Sequence, residues 1–355
     1  MGRIHVLDKS IYELIAAGEV IERPSSAVKE LVENAIDAGA TSVVIEIKSG
    51  GKTYIRVTDN GCGMAKEDVP LAFVRHATSK IGSVEDLDNI ATLGFRGEAL
   101  ASICAVSRVE VITKQKGDAL GCVYSIEGGE QTHYDDIGCP DGTSVIVRDL
   151  FFNVPARQKY LKKDVTEANA IAATLQKLAL SNPGVSIKFI RDNKLEFVTA
   201  GDGKLLSCIY TILGKEFYTN CIPVDYDYNG IKINGYITKP YSARANRSYQ
   251  IFFVNSRYVK SSTCLYGLEE AYKGRIMTGK FPGCVLNLTI GSDLADINSH
   301  PAKLEIRFQD EAAVHDAVYF AAKNALVLLD EPYEIEFSTR GLANRLTEEE
   351  IFGNV

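Results

Sequence analysis

Along the first sixty residues the spacing of apolar positions changes once, from a helical period to a strand period. Val28, Leu31, Val32, Ala35 and Ile36 fall at i, i+3, i+4, i+7 and i+8, which marks one buried face of a helix. Ser25 or Ser26, after Pro24, can cap its start, and Gly39 can end it. Beyond Thr41 the period becomes two. Val43, Ile45 and Ile47 alternate, Gly50-Gly51 offers a turn, and Ile55 and Val57 alternate back, so a β-hairpin succeeds the helix. The far side of that helix carries Glu30, Asn34 and Asp37 at i, i+4 and i+7, a polar stripe roughly opposite the apolar one. Such a stripe is ordinarily solvated; whether this one faces a ligand depends on the residues downstream.

Residues 66–97 show no strand pattern and are punctuated by Gly82, Gly94 and Gly97, as expected of a long functional segment. "GEALASICAV" then predicts a short helix. Strands are predicted near 107–114, 121–126 and 143–148, a helix near 165–181, and strands near 185–190 and 195–199. "TAGDGK", 199–204, is the best boundary. After it, helices near 203–213, 262–273 and 310–329 mix with strands near 231–238, 249–254 and 284–290, a second α+β unit. From Glu331 the chain turns polar and acidic without a core pattern, as a linker does. The domains expected are therefore 1–202, with a lid at about 66–97, then 203–330, then a linker over 331–355.

Composition narrows the class. A chain of 355 residues with 46% hydrophobic content can bury a full core and suits two domains. No apolar run approaches the roughly 20 residues of a membrane span, so no membrane association is expected. "MGRIHVLDKS" has no signal-peptide core, and Val6 breaks a myristoylation pattern. The eight cysteines form no CxxC pair, which argues against a zinc or disulfide framework and suits a reducing cytoplasmic setting. Net charge is −7, yet residues 239–280 carry a net +6, including Arg244, Arg247, Arg257, Lys260, Lys273 and Arg275.

Two phosphate motifs are tested and fail. "GGKT", 50–53, lacks the first glycine of a Walker A loop, since Glu46 stands there, and a strand comes after it instead of a helix. "GCGMAK" has Lys66 where a dinucleotide fingerprint needs glycine. Adenine recognition asks instead for a carboxylate to accept from the exocyclic amine and for glycines that admit a flat ring. "TDNGCGM" supplies Asp59, Gly61 and Gly63. "GFRGEAL", 94–100, is a glycine-rich entry into a helix where backbone N–H groups can hold phosphate, and "TSK", 78–80, adds two hydroxyls and a cation. Magnesium keeps several waters, so one amide oxygen such as that of Asn34 suffices beside phosphates. Glu30, one turn from Asn34, suits a carboxylate that activates water.

In that order these motifs resemble the GHKL ATPases. "IAAGEVIERPSSAVKELVENAIDAGA", "DNGCGM", "RHATSKI", "TLGFRGEALASI", "LFFNVPAR" and "NSHPAKLEIRF" resemble specifically the MutL family of mismatch-repair proteins, over residues 1 to about 330. The resemblance implies an α+β fold: a GHKL (Bergerat) ATPase α/β sandwich, then a second α+β domain of the ribosomal-protein and topoisomerase type. It implies ATP and Mg²⁺ as ligands. Glu30 would activate water and Asn34 would hold the metal. Asp59 would read adenine, with Ala38, Gly63 and Met64 walling the ring beside Gly61, and Thr143 assisting through water. Thr78, Ser79 and Lys80 would belong to the lid. Gly94, Phe95, Arg96, Gly97, Ala99 and Leu100 would line the phosphate site, and Lys303 would reach the γ-phosphate. The partners implied are DNA along the basic run, a MutS-type mismatch-recognition protein with other repair factors, and a second copy of the chain when ATP is bound. Tyr249 and Tyr258, within the basic run, are expected to pack rather than stack on bases, and His76 to be structural. Family members continue into a C-terminal dimerisation domain, in many bacteria an endonuclease. No endonuclease signature occurs here, so nicking and constitutive dimerisation are not inferred. A non-hydrolysing DNA-binding module, or another GHKL ATPase such as a topoisomerase-type subunit, remains the alternative.

Overall fold

The computed structural model describes residues 17–18, 20–78, 97–291, 295–296 and 307–330. Ser79, Lys80, Gly94, Phe95, Arg96 and Lys303, much of the expected lid and the expected linker lie outside the described residues.

The opening helix, α1, spans Pro24–Asp37. It starts two to three residues earlier than the serines suggest. Arg23 is the cap, in extended conformation and without a side-chain cap bond, and Pro24 takes the first turn, where its missing N–H costs nothing. Gly39, at φ +73°, ends it as predicted. The first half of the chain then builds an eight-stranded sheet in the order β5-β4-β3-β6-β2-β1-β7-β8. Its strands are β1 Ser42–Lys48, β2 Tyr54–Asp59, β3 Arg108–Lys114, β4 Gly121–Glu127, β5 Glu130–Ile137, β6 Gly142–Arg148, β7 Ser186–Arg191 and β8 Lys194–Val198. All neighbours are antiparallel except β1 and β7. Helices α2 Ala99–Ala105, α3 Pro155–Tyr160 and α4 Asp164–Ser181 complete this half. The inward residues Val43, Ile45, Ile47, Ile55 and Val57 meet Val28, Leu31, Val32 and Ala35 of α1 and Ile171 and Leu175 of α4 in one core.

A buried ion pair closes the seam between α1 and α4. Glu167 is only 1% exposed, and Arg23 donates to its Oε2 through Nε at 3.2 Å and Nη2 at 2.9 Å. The amide of Lys162 donates to the other oxygen at 2.9 Å. The carboxylate is thus satisfied where water cannot reach it.

The second half begins with α5, Leu205–Thr219, which runs past the predicted end through a break at Gly214. A five-stranded sheet, β12-β11-β13-β10-β9, is made from β9 Cys221–Tyr228, β10 Ile231–Thr238, β11 Gln250–Val254, β12 Arg257–Val259 and β13 Cys284–Thr289. Helices α6 Ser262–Ala271 and α7 Glu311–Asp330 lie on it. A short ladder joins β14 Ala295–Asp296 to β15 Arg307–Phe308. Every residue of β11 is buried, because Phe252 and Val254 face the α6–α7 core while Ile251 and Phe253 face α5. That is why "IFFV", 251–254, reads as a continuous apolar run. Leu180 of α4 joins this α5-side cluster, so apolar packing ties the two halves together. No described helix is long and apolar enough to cross a membrane.

The ion pair gives a stability prediction. Arg23→Ala leaves a nearly fully buried carboxylate without its cation. It should destabilise the fold by about 2 kcal/mol or more, below the roughly 3–5 kcal/mol for fully buried pairs, because Arg23 is about a third exposed. Glu196→Ala, at a surface pair with Arg191, should cost under about 1 kcal/mol. Urea denaturation of both variants reads the contrast; equal losses would contradict it.

Candidate nucleotide site

The alternation of β2 positions the first functional group. Ile55, Val57 and Asp59 share one face of the strand, so the carboxylate emerges just beyond the core, beneath α1. In register it pairs with Thr143 of β6. The amide of Gly61 donates to Asp59 Oδ1 at 2.8 Å, and the Thr143 backbone also supports the carboxylate. Burial pushes the Asp59 carboxyl above the usual range, and these two backbone bonds offset it only in part. A half-buried carboxylate set up to accept is the group an exocyclic amine requires.

The loop after β2 is shaped by two glycines. A Cβ on Gly61 would stand 2.8 Å from the Ala38 carbonyl and 3.0 Å from Asp59 Oδ1. One on Gly63, at φ +70°, would stand 2.1 Å from the Lys114 carbonyl oxygen. The loop is tied down on both sides. Cys62 N–H donates to Ala38 O at 3.0 Å, and Met64 N–H to Thr113 Oγ1 at 3.0 Å. Thr113, 1% exposed, also donates to Gly142 O and lies 3.0 Å from Thr143 Oγ1, so one buried hydroxyl joins the loop to β6.

One cleft collects the expected residues. Glu30, Asn34, Ala38, Asp59, Gly63, Met64, Thr78, Gly97, Ala99, Leu100 and Thr143 all line it, with Gly61 close beneath. The polar stripe of α1 therefore faces a cleft and not bulk solvent. Glu30 is not alone on it: Lys29 Nζ stands 3.1 Å from Glu30 Oε1 and 2.8 Å from Glu33 Oε2. Burial alone would lower the Lys29 ammonium's pKa, but the charges and hydrogen bonds of the two glutamates outweigh it and hold it above the usual lysine value. Among the described residues no group of three or more His, Cys, Asp or Glu could hold a metal. A divalent ion here would rest on an amide oxygen plus the ligand's own oxygens and water, and Asn34 supplies that donor type.

The expected DNA strip separates into parts. Arg257 and Lys260 line the same cleft. Arg244 is held by Glu216 at 2.8 Å and lies over the Tyr249 ring, and Arg247 makes a two-pronged pair with Glu269 at 2.6 and 2.9 Å. Lys273 and Arg275 are exposed beyond α6. Tyr249 and Tyr258 pack edge-on against Phe217 and Phe253 as expected. His76 is an exposed side chain 3.3 Å from Glu98.

Sequence reasoning misses several residues of this cleft. Lys177 of α4 sets its ammonium 3.8 Å from the centroid of the Tyr258 ring, across the seam between the halves. Burial, and then the charge of Lys260, hold Lys177 below the usual lysine range. Ser102 of α2 also lines the cleft, 1% exposed, with its hydroxyl unpartnered among the described residues. Glu33 belongs with them, and the buried Thr113 supports the Met64 loop from behind. Lys29 and Glu33 carry a signal, their i,i+4 spacing. Lys177 and Ser102 carry none, because only the tertiary fold brings them here.

Comparison with known proteins accords with this geometry. Residues 21–135 match the family of histidine kinase-, DNA gyrase B- and HSP90-like ATPases, and residues 209–327 match the DNA mismatch repair protein C-terminal domain. The DNA mismatch repair protein MutL of Caldanaerobacter subterraneus subsp. tengcongensis is 47% identical over 326 residues, covering 92% of this chain and 55% of that protein. The solved N-terminal domain of a DNA repair protein superposes with TM-score 0.77 at 28% identity, covering 90% of this chain and 99% of that one. The Aquifex aeolicus MutL ATPase domain complexed with ADP gives 0.59 at 28% identity, covering 76% and 93%. The chain spans about half the length of the curated relatives it matches. Fold and matches define an α+β chain of the GHKL ATPase class joined to a mismatch-repair-type second domain. Within that class the chain belongs to the MutL family of mismatch-repair proteins.

The Asp59 geometry yields the next prediction. Asp59→Asn replaces an acceptor by a group that can turn a donor toward the adenine amine, so ATP affinity by calorimetry should fall at least about tenfold. Stability should not fall with it. Because the folded-state pKa is raised, protonation of Asp59 favours the fold at acid pH, and this contribution is lost as pH rises through the folded value. The variant's relative stability should therefore be best near neutral pH and diminish toward acid. Unchanged affinity would place the base elsewhere.

Proposed function

We propose that this chain binds and hydrolyses ATP in the cleft, and that the nucleotide state governs its action in DNA mismatch repair. The observation that carries this reading is that Glu30, Asn34 and Asp59, from two separate elements, line one cleft with the glycine-framed loop between them. In this reading Asp59 accepts from the adenine amine while Ala38, Gly63 and Met64 flank the ring. Gly97, Ala99 and Leu100 approach the phosphates, with Thr78 at the near edge. Gly94, Phe95, Arg96, Ser79, Lys80 and Lys303 are assigned to phosphate by family resemblance. Mg²⁺, held by Asn34 through its amide oxygen, would neutralise phosphate charge.

Glu30 then takes a proton from water as the water oxygen bonds to the γ-phosphorus. The bond from that phosphorus to the β–γ bridging oxygen breaks, releasing ADP and phosphate. Domains divide near residue 202, with DNA contacts mainly in the second half and Lys177 of α4 beside them. Lys177, Arg257 and Lys260 form a cationic wall on the cleft, suited to a phosphate backbone. Arg244 and Arg247, already paired with carboxylates, contribute less. Two copies would pair when ATP is bound, and a mismatch-recognition protein of the MutS type and other repair factors would read that state, in the cytoplasm.

Two outcomes test the reading. Glu30→Ala should bind ATP near normally while phosphate release falls about 10²-fold or more. Near-normal turnover would remove Glu30 from the reaction. For DNA, Lys260→Glu should weaken binding across sequences and flatten the salt slope by roughly one unit per lost phosphate contact. Arg244→Glu should do markedly less. Equal effects would show that the cleft wall is not the DNA path.

A further inference from the structure

One ammonium serves two carboxylates on α1. Lys29 Nζ lies 2.8 Å from Glu33 Oε2 and 3.1 Å from Glu30 Oε1. The two acids differ in setting. The Glu33 side chain is 9% exposed and that of Glu30 is 25% exposed. Glu33 lies one full turn beyond Lys29, the spacing at which helical ion pairs form readily, whereas Glu30 is its immediate neighbour in sequence. The shorter and drier contact is therefore the one to Glu33.

We propose that Glu33 is a positioning residue: by holding the Lys29 ammonium it keeps that cation from capturing Glu30, leaving the Glu30 carboxylate available to water. This rests on the reading of Glu30 as the group that takes the proton. A carboxylate fully engaged by an ammonium gives one oxygen's lone pairs to that cation and is a poorer acceptor for a proton from water. With Glu33 present, Lys29 is shared and drawn toward the buried side of α1. Without that second charge, the ammonium turns to the Glu30 carboxylate already beside it. In this role Glu33 acts through the Lys29 ammonium and not on the reacting atoms.

The expected outcome is asymmetric in a way that ordinary structural damage is not. Glu33→Gln should lower kcat about tenfold, since only part of the general-base contribution is withdrawn, with KM for ATP within about twofold. Adding Lys29→Met to Glu33→Gln removes the capturing cation together with the buried charge, and should return kcat to within about threefold of the wild-type chain. Phosphate release and ATP binding by calorimetry, with melting curves for each variant, make the measurement. Glu30→Ala is the control. If Glu33→Gln keeps wild-type kcat, or if Lys29→Met/Glu33→Gln is as slow as Glu33→Gln, the positioning role is overturned. If Glu33→Gln melts early, the double variant still decides, because a well-folded but slow double variant contradicts the proposal. Full turnover by Glu30→Ala would overturn the underlying reading as well, a result distinct from either of the others.

Discussion

Everything in the cleft depends on how α1 is seated. One face of this helix is core, with Val28, Val32 and Leu31 almost wholly buried against the sheet and α4. A helix fixed so firmly on one side has no freedom of rotation, and its opposite stripe must point where the packing aims it. The Arg23–Glu167 pair fixes the entry to α1, and the Cys62 amide bonded to Ala38 O fixes its exit. Between those anchors Glu30 and Asn34 face the same space as Asp59. A shift of α1 along its axis would move both relative to Asp59 and cost core contacts at once, so the apolar packing supplies the precision that the chemistry proposed at Glu30 requires.

Charge is divided across the cleft. The α1 side holds Glu30, Glu33 and Asn34, with Lys29 between the acids, while the second half contributes Arg257 and Lys260 and α4 contributes Lys177. Burial and the nearby Lys260 charge both disfavour the protonated form of Lys177, a cost that an anionic ligand at this wall would relieve. The Lys177–Tyr258 contact crosses between the two halves at the wall of the cleft.

Much of this is legible in the sequence, and the gaps have physical causes. The α1 stripe, the β1–β2 hairpin and the loop from Asp59 to Met64 can be read because period and turn chemistry are local properties. β5 escapes such a reading, since "EQTHYDDI" is an almost wholly exposed edge strand held by backbone pairing to β4, and it shows no apolar alternation. β9 does alternate, through Ile222, Val224 and Tyr226, but Pro223 argues against a strand. The proline is tolerated because β9 lies at the edge of its sheet. The basic run over 239–280 is visible as charge, yet which of its members are neutralised is not, because Glu216 and Glu269 meet Arg244 and Arg247 only after folding.

If one cleft, framed by α1 and the Asp59 loop, holds ATP, a crystal structure with Mg²⁺ and a non-hydrolysable ATP analogue tests it most directly. The adenine amine should lie within hydrogen-bond distance of Asp59, the Asn34 amide oxygen on the metal, and Glu30 within one water of the γ-phosphorus. An analogue bound with its base away from Asp59, or with its phosphates remote from α1, would contradict it.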